Sequence, residues 1–386
     1  MARRFVIAAL IALFATAAFA ALDESRASFF TAYLFTNATF RGTELTKLGA
    51  YFFSIDRNTG ALNYELKVGS VDNPARVYVV KNGENPTTIF DLVNDPSQFD
   101  SDGRSHGART ISLVSAQDLI DHPSNYSIYV VDTQGRIAAR SPALASAFEY
   151  EVPISGHVNG SHGELFVTDL RVFAPPLENP RESIYAMVEY FPSSTANAGA
   201  ASTFITGTVA RGTMSFDDVV ASQLHMPGTT GAMRVTSSKP LTVATRTYND
   251  QRASGRGTLG QFVAAQERAQ ALTRGALTAL SESLSPLNGY RTNVGFFNAN
   301  DAASTVTLDL RDSTGNTIGT TSVTLGAFEQ RQLSLPVLFP NVRAVEENVS
   351  IAFTSTRAVF AYASVIDNQS SDPYYVEAKA DAPAVN

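Results

Sequence analysis

The sequence predicts an all-β chain, with one β domain over residues 21–145 followed by two tandem β-sandwiches over 154–265 and 270–380. Three observations predict it. Leu62, Tyr64, Leu66 and Val68 alternate with Asn63, Glu65 and Lys67, the period of a half-buried strand. A polar turn, Asp56-Arg57-Asn58-Thr59-Gly60-Ala61, separates that run from the β-rich Tyr51 to Ile55, and its glycine is free to take a positive φ. From about residue 154 the chain also repeats itself. Thr168-Asp169-Leu170-Arg171-Val172-Phe173 lines up with Thr292-Asn293-Val294-Gly295-Phe296-Phe297, 124 residues later. Ile184 to Tyr190 lines up with Ser304 to Leu310, 120 later. Ala232 to Ser237 matches Ser350 to Ser355, and Leu241 to Asn249 matches Val359 to Asp367, both 118 later. Units of about 110 residues suit a seven-strand sandwich.

In chain order, residues 1–20 read as an export leader. Arg3 and Arg4 precede the apolar run Phe5 to Phe14, and Ala18-Phe19-Ala20 has the small-x-small form of a cleavage site. The run is shorter than the roughly 20 residues that span a bilayer. Tyr51 to Ile55, Leu62 to Val68, Val77 to Val80 and Tyr126 to Val131 read as strands. One helix interrupts them at Ser115 to Ile120, with Ser115 as its cap, an acid three residues on, and Pro123 as its stop. A polar loop runs from Asp91 to Gly103, and a polar linker from about Ala143 to Glu151 joins the first domain to the repeats. In Phe262 to Leu284, helical propensity competes with the repeat; the reading is a loop or short helix to about 275, then a strand. The tail after Ala378 reads as disordered, residues 381–386 most plainly.

Removing the leader with its two arginines leaves 27 basic residues against 36 acidic ones, a balance of −9. No basic stripe is present, so nucleic acid and anionic membrane are poor partners, and no later apolar run is long enough to cross a membrane. With no cysteine, disulfides, thiolate metal sites, a cysteine nucleophile and a lipoprotein anchor are excluded. Absence of disulfides in an exported chain points to a bacterial envelope or secreted protein.

Residues 27–142 resemble the CHRD domain, first described in chordin and widespread in secreted microbial proteins. Phe29-Phe30-Thr31-Ala32-Tyr33-Leu34, Gly49 to Asp56 with Gly60 to Leu66, Ile111-Ser112-Leu113, the helix, and Tyr126 to Val130 carry the resemblance. It implies an immunoglobulin-like β domain with no established catalysis. The chain departs from many microbial members in lacking their histidines: the corresponding stretches read Ala75 to Val80 and Tyr129 to Thr133. Residues 154–380 resemble the paired sandwich repeats at the ends of uncharacterised secreted bacterial proteins. The markers are His157 with Gly160 and Gly163, Thr168-Asp169-Leu170, Pro240 to Val243, Gly260-Gln261-Phe262, Arg291 to Gly295 and Phe360 to Asp367. That likeness implies scaffolding or recognition, with no defined ligand.

Several residue groups are candidates for chemistry, each beside a plainer reading that is preferred. His157 and His162, with Asp169 as a third ligand, have spacing compatible with one cation; the plainer reading is a surface loop. Asp91, Asp95, Asp100 and Asp102 could surround calcium, but EF-hand spacing fails and a solvated acidic loop is preferred. Asp217 and Asp218 precede a short helix, Val219 to Leu224, and read as its caps. Tyr374, Tyr375, Phe360 and Tyr362 could form a sugar-binding face, although such alternation suits a sandwich core. His106, His122 and His225 are isolated. No Gly-x-Ser-x-Gly, phosphate loop or dinucleotide fingerprint occurs.

The expectation is therefore a secreted or periplasmic, non-enzymatic protein for adhesion, envelope structure or recognition. Its partner would be an envelope or extracellular protein or a glycan, without cofactor, nucleic acid or membrane insertion. A carbohydrate- or cation-binding accessory module and a hydrolase with unfamiliar residues are the alternatives.

Overall fold

A computed structural model describes residues 27–381 except 37–46, 69–72, 84–85, 102, 142–143, 161–162, 177–182, 196–199, 210, 238, 256, 301 and 343–347. The leader, Asp102, His162 and 382–386 lie outside the described residues. The chain is nearly all β, as expected, and every pairing between its named strands is antiparallel.

The first domain comprises β1 (Ala27–Thr36), β2 (Lys47–Asp56), β3 (Ala61–Val68), β4 (Pro74–Lys81), β5 (Thr87–Val93), β6 (Arg104–Thr110), α1 (Leu113–Asp121), β7 (Tyr126–Asp132), β8 (Ile137–Arg140) and β9 (Ala145–Ser146). Its sheet runs β5-β4-β7-β8-β1-β2-β3-β6, with β9 added on β1. The alternation in β3 sends Leu62, Tyr64, Leu66 and Val68 into one core with Phe30, Tyr51, Phe53 and Ile128. In the β2–β3 turn, Asp56 Oδ1 accepts from the amides of Asn58 (2.7 Å) and Thr59 (3.2 Å). Gly60 follows at φ +69°, where a Cβ would stand 2.2 Å from the Ile111 carbonyl oxygen; only glycine fits there.

The helix is found, but its cap is not Ser115. Ser112 Oγ accepts from the Ser115 amide at 3.1 Å, so α1 starts three residues earlier. Asp118, which suggested a capping box, instead accepts from Lys81, Tyr126 and His122. It ties the helix to β4 and β7, while Ala116 and Leu119 fill the core beneath.

The first sandwich comprises β10 (Phe148–Asn159), β11 (Leu165–Phe173), β12 (Ser183–Pro192), β13 (Ser202–Val209), β14 (Thr213–Phe216), α2 (Val219–Ser222), β15 (Thr229–Ser237), β16 (Thr242–Asp250), β17 (Thr258–Ala264) and β18 (Gln266–Glu267). The second comprises β19 (Leu272–Leu280), β20 (Tyr290–Phe297), β21 (Ser304–Arg311), β22 (Thr317–Leu325), β23 (Gln330–Ser334), α3 (Leu335–Leu338), β24 (Val349–Asp367) and β25 (Pro373–Glu377). Strand order is the same in both. β13-β12-β15-β10 corresponds to β22-β21-β24-β19, and β14-β11-β16-β17 to β23-β20-β24-β25.

Register follows the sequence offsets. Leu170 pairs with Thr245 and Val294 with Ala363, steps of 124 and 118; Val188 pairs with Val235 and Leu308 with Phe353, steps of 120 and 118. One side-chain device recurs as well: Thr168 Oγ1 accepts from the Gly156 amide, and Thr292 Oγ1 from the Ser281 amide. Where β24 runs unbroken from one sheet into the other, the first sandwich has β15 and β16, separated at a stretch that contains Pro240. Proline cannot donate to a ladder.

Three boundaries differ from expectation. The stretch from Leu144 to Glu151 is no polar linker, because Leu144 is in the first core, β10 begins at Phe148 and Glu151 is fully buried. Residues 262–284 are mostly strand, ending β17 and forming β19 from Leu272, with only a single 3-10 turn at Arg268–Gln270. Sheet pairing outweighs helical propensity there. The tail stays attached to Asp381: Lys379 pairs with Ala276, and Arg274 Nε meets Asp381 at 3.0 Å.

The sandwiches share an apolar interface of Phe191, Ala232, Phe297, Ala299, Phe328 and Phe360. Along the second half of β24, Val359, Ala361, Ala363 and Val365 face their own core. The intervening Phe360, Tyr362 and Ser364 face the first sandwich. Arg234 is buried at this seam. Its Nε donates to Glu151 at 2.8 Å, Nη2 reaches the Ala299 carbonyl at 3.4 Å, and the guanidinium lies over Phe191 and Phe328.

Candidate functional site

The outer face of β14-β11-β16-β17 carries an interlinked set of polar and charged side chains. Alternation builds it. Leu170, Val172, Val243 and Val263 turn into the core, which leaves Asp169, Arg171, Phe173, Arg246 and Phe262 on the opposite side, with Tyr248 on that side but almost fully covered. Register then places Asp169, Arg246 and Phe262 in one row across three strands.

These side chains hold one another in place. Asp169 Oδ1 accepts from the Asp218 amide at 2.9 Å and the Tyr248 hydroxyl at 3.3 Å, and Oδ2 meets Arg171 at 3.3 Å. Arg171 also binds Asp217 and the Phe216 carbonyl. Arg246 lies 4.8 Å over the Tyr248 ring, and its Nη2 donates to Thr258 Oγ1 at 2.8 Å. Burial first, and then Asp169, push the Tyr248 phenol up, so it remains a donor at neutral pH. At the edge, Arg252 grips Asp250 with two bonds of 2.8 and 2.6 Å and drives its carboxyl down to about 2. Phe262 stands 61% exposed beside this network.

The residues singled out in the sequence meet different fates. His157 Nδ1 is 2.8 Å from Asp218 Oδ2, while Asp169 touches Asp218 only through its backbone. Asp218 does not cap α2: it sits at φ +46° without a side-chain cap bond, and Asp217 turns to Arg171. Left-handed geometry swings the Asp218 carboxylate away from the short helix and toward His157. Asp91 pairs with Arg76 at 2.7 Å, Asp95 caps the 3-10 turn Pro96–Gln98, and Asp100 accepts from the Arg104 amide at 2.9 Å. Asp95 and Asp100 thus order the loop's own chain, while Asp91 ties β5 to β4. Among the described residues no group of three or more His, Asp or Glu side chains is arranged to hold a metal.

The supposed aromatic face separates. Phe360 and Tyr362 are buried, Tyr362 stacks on Tyr375 at 5.7 Å, and Tyr374 alone is exposed, its hydroxyl on the Ala279 carbonyl. His106 stands opposite Glu65 on β6, His122 ends α1, and His225 follows α2 at φ +55°.

Sequence reasoning missed Glu65 with Arg104, where the first domain meets β13. Arg104 Nη1 donates to the Thr203 carbonyl at 3.0 Å, and burial pushes the neighbouring Glu65 carboxyl up to about 8 against the pull of Arg104. Only a charge within an alternating strand marked that position.

Fold and face together define a tandem β-sandwich protein that presents a preformed sheet surface. No protein-family model and no curated protein matches the chain. Among solved structures, tripeptidyl peptidase 2 aligns with 92% of this chain at 12% identity and a TM-score of 0.15. The chain spans 37% of that peptidase's length, and a likeness this slight carries no argument about fold or chemistry.

Proposed function

We propose that the chain is an exported, non-enzymatic adhesion or recognition protein, secreted or periplasmic, whose target is an envelope or extracellular protein or a glycan. The outer face of β14-β11-β16-β17 is the binding surface in this reading. The observation that carries it is the interlocked set Asp169, Arg171, Arg246 and Tyr248 beside the exposed Phe262. Side chains already fixed lose little freedom on binding, and exposed aromatic and arginine groups are the usual anchors of interfaces. The leader supports export, and the CHRD-like pattern of residues 27–142 supports an extracellular β module at the front.

The test is binding of the chain from Ala21 onward to a glycan array and to separated envelope proteins, beside Arg246→Ala and Phe262→Ala variants. Saturable binding to one target, weakened at least tenfold by both variants with unchanged melting, supports the reading. Binding indifferent to both places recognition elsewhere. The hydrolase alternative is checked on ester, peptide and glycoside substrates: turnover lost in His157→Ala would favour it.

A further inference from the structure

Edges of β-sheets are templates for pairing with another chain, and natural edges are blunted by charge, proline, bulges, shortness or cover. Nearly every edge in this chain is blunted in one of these ways. β5 carries Asp91 and pairs through two irregular steps, and β6 carries Arg104, His106 and Arg109. β14 has four residues and β23 five, the latter with Arg331. β19 is broken by two register shifts and bridged by Lys379, and β25 begins with Pro373. β17 is uncharged but lies against the second sandwich, where Ser364 Oγ donates to Gln261 at 2.9 Å.

The last two edges, β13 and β22, are counterparts in the two sandwiches: Val188 pairs with Phe204 as Leu308 pairs with Thr321. Both lack any charged residue or proline. β13 is already in use, since Arg104 of the first domain donates to its Thr203 carbonyl. β22, Thr-Ile-Gly-Thr-Thr-Ser-Val-Thr-Leu over nine residues, has no partner on its outer side among the described residues.

We infer that β22 is a homotypic pairing edge, and that its occupant is β22 of a second copy of this chain. Self-complementarity selects that occupant. Antiparallel pairing about a two-fold axis through Thr321 puts Thr320 opposite Ser322 and Ile318 opposite Thr324 on the outer face. On the inner face Gly319 and Val323 are already covered by their own chain, Gly319 by Phe339 and Val342 and Val323 by the second core, so the match is made on the outer face. No like charges meet, and opposed hydroxyl side chains favour such ladders. Thr320 Oγ1 already donates to Asp309 at 2.8 Å and Thr324 pairs with Thr305, which fixes this face outward. The two-fold axis closes the contact at a dimer and leaves no further edge to extend. One strand pair buries less than a standard interface, so the dimer is weak and concentration-dependent.

Sedimentation equilibrium on the chain from Ala21 onward, over a wide concentration range, tests this with charge pairs set in the predicted register. Thr320→Lys with Ser322→Lys brings lysines face to face twice across the axis. It is expected to weaken the dimer roughly tenfold, each like-charged pair being unfavourable. Thr320→Lys with Ser322→Glu places the same number of charges on the monomer but sets opposite signs across the axis, and the dimer is expected to persist. If either variant fails to melt like the parent, the Ile318→Lys/Thr324→Lys and Ile318→Lys/Thr324→Glu pair makes the same comparison. A parent chain that stays monomeric throughout overturns the inference. So does a dimer that both charge pairs weaken equally, or one that neither affects.

Discussion

Phe360→Ala tests whether the sandwiches stand or fall together. Phe360 is buried at the seam, stacked 6.4 Å from Phe297, which lies 5.5 Å from Phe191; Phe328 is 5.6 Å from Phe191 on the other side. These rings come from both sandwiches, so the cavity opens between domains rather than within one. Truncating a buried phenylalanine costs about 3–5 kcal/mol. The remaining rings cannot close the gap easily, because Phe297 and Phe360 are fixed by ladder pairing to each other. One kcal/mol shifts the melting temperature of a unit of 150–250 residues by roughly 2–4 °C, so a fall of about 6–20 °C is expected. Calorimetry should also show a shape change. In the parent the two sandwiches are expected to melt in one transition; in the variant that transition should broaden or split as their coupling drops below the stability of each core. The buried Arg234 sharpens the effect, since separation removes the ring faces above it. A variant with an unchanged single transition would refute a shared fold unit.

Leu66→Asp puts a charge among fully buried side chains. With about 2–5 kcal/mol for the lost leucine plus an unpaired charge, it should unfold the first domain; limited proteolysis is expected to leave a stable fragment starting near Phe148, and uniform degradation would mean a shared core. Glu65 titrates at about 8 in the folded chain against 4.5 in a free one. The folded state therefore holds the proton more tightly, and the first domain should lose stability as pH rises from about 4.5 through 8; melting temperatures between pH 5 and 9 should show this slope flattened in Glu65→Gln. Gly295→Ala would set a Cβ 2.0 Å from the Tyr362 ring, with an expected loss of about 1–3 kcal/mol. Urea melts should find that cost smaller when Tyr362→Ala is already present, and simple additivity would show that the ring moves aside.

How much was legible depended on the range of the interaction. Alternation in Leu62 to Val68 and the offsets of 124, 120 and 118 are local or collinear signals, and strand order and register follow them. Glu149 and Glu151 looked like linker because a charge in sequence reads as solvent-facing; their partner Arg234 lies 83 residues beyond Glu151. The site was half legible. His157 and Asp169 stood out, but Asp218, which lies between them, looked like a helix cap, because nothing in a sequence reveals a left-handed aspartate. A period of two gives a strand two faces without saying which is covered. The run Val359 to Ile366 did carry that information, having no charged residue on either face.

The repeat also explains why equivalent faces of the two sandwiches differ. Carrying the offsets across the seam, Phe297, Phe360 and Tyr362 of the second sandwich correspond to Phe173, Thr242 and Ala244 of the first. The pair Gly295–Tyr362 becomes Arg171–Ala244, so large and small exchange places and the guanidinium rises to the surface. One face of the same architecture is thus apolar where it is covered and more polar where it is open. This yields a prediction written in the chain's own residues. A fragment of residues 270–381 uncovers Phe297, Phe360 and Tyr362 together, a patch of the kind that drives association, and should self-associate in light scattering. Phe360→Thr with Tyr362→Ala, copied from the equivalent positions of the first sandwich, should return it to a monomer with its strand content intact by circular dichroism. If the unaltered fragment is already a soluble monomer, the exposed rings are not what holds the sandwiches together, and the burden shifts to Arg234 and to the polar contacts of Gln261 with Ser364 and of Gln330 with Ser193 and Ser194.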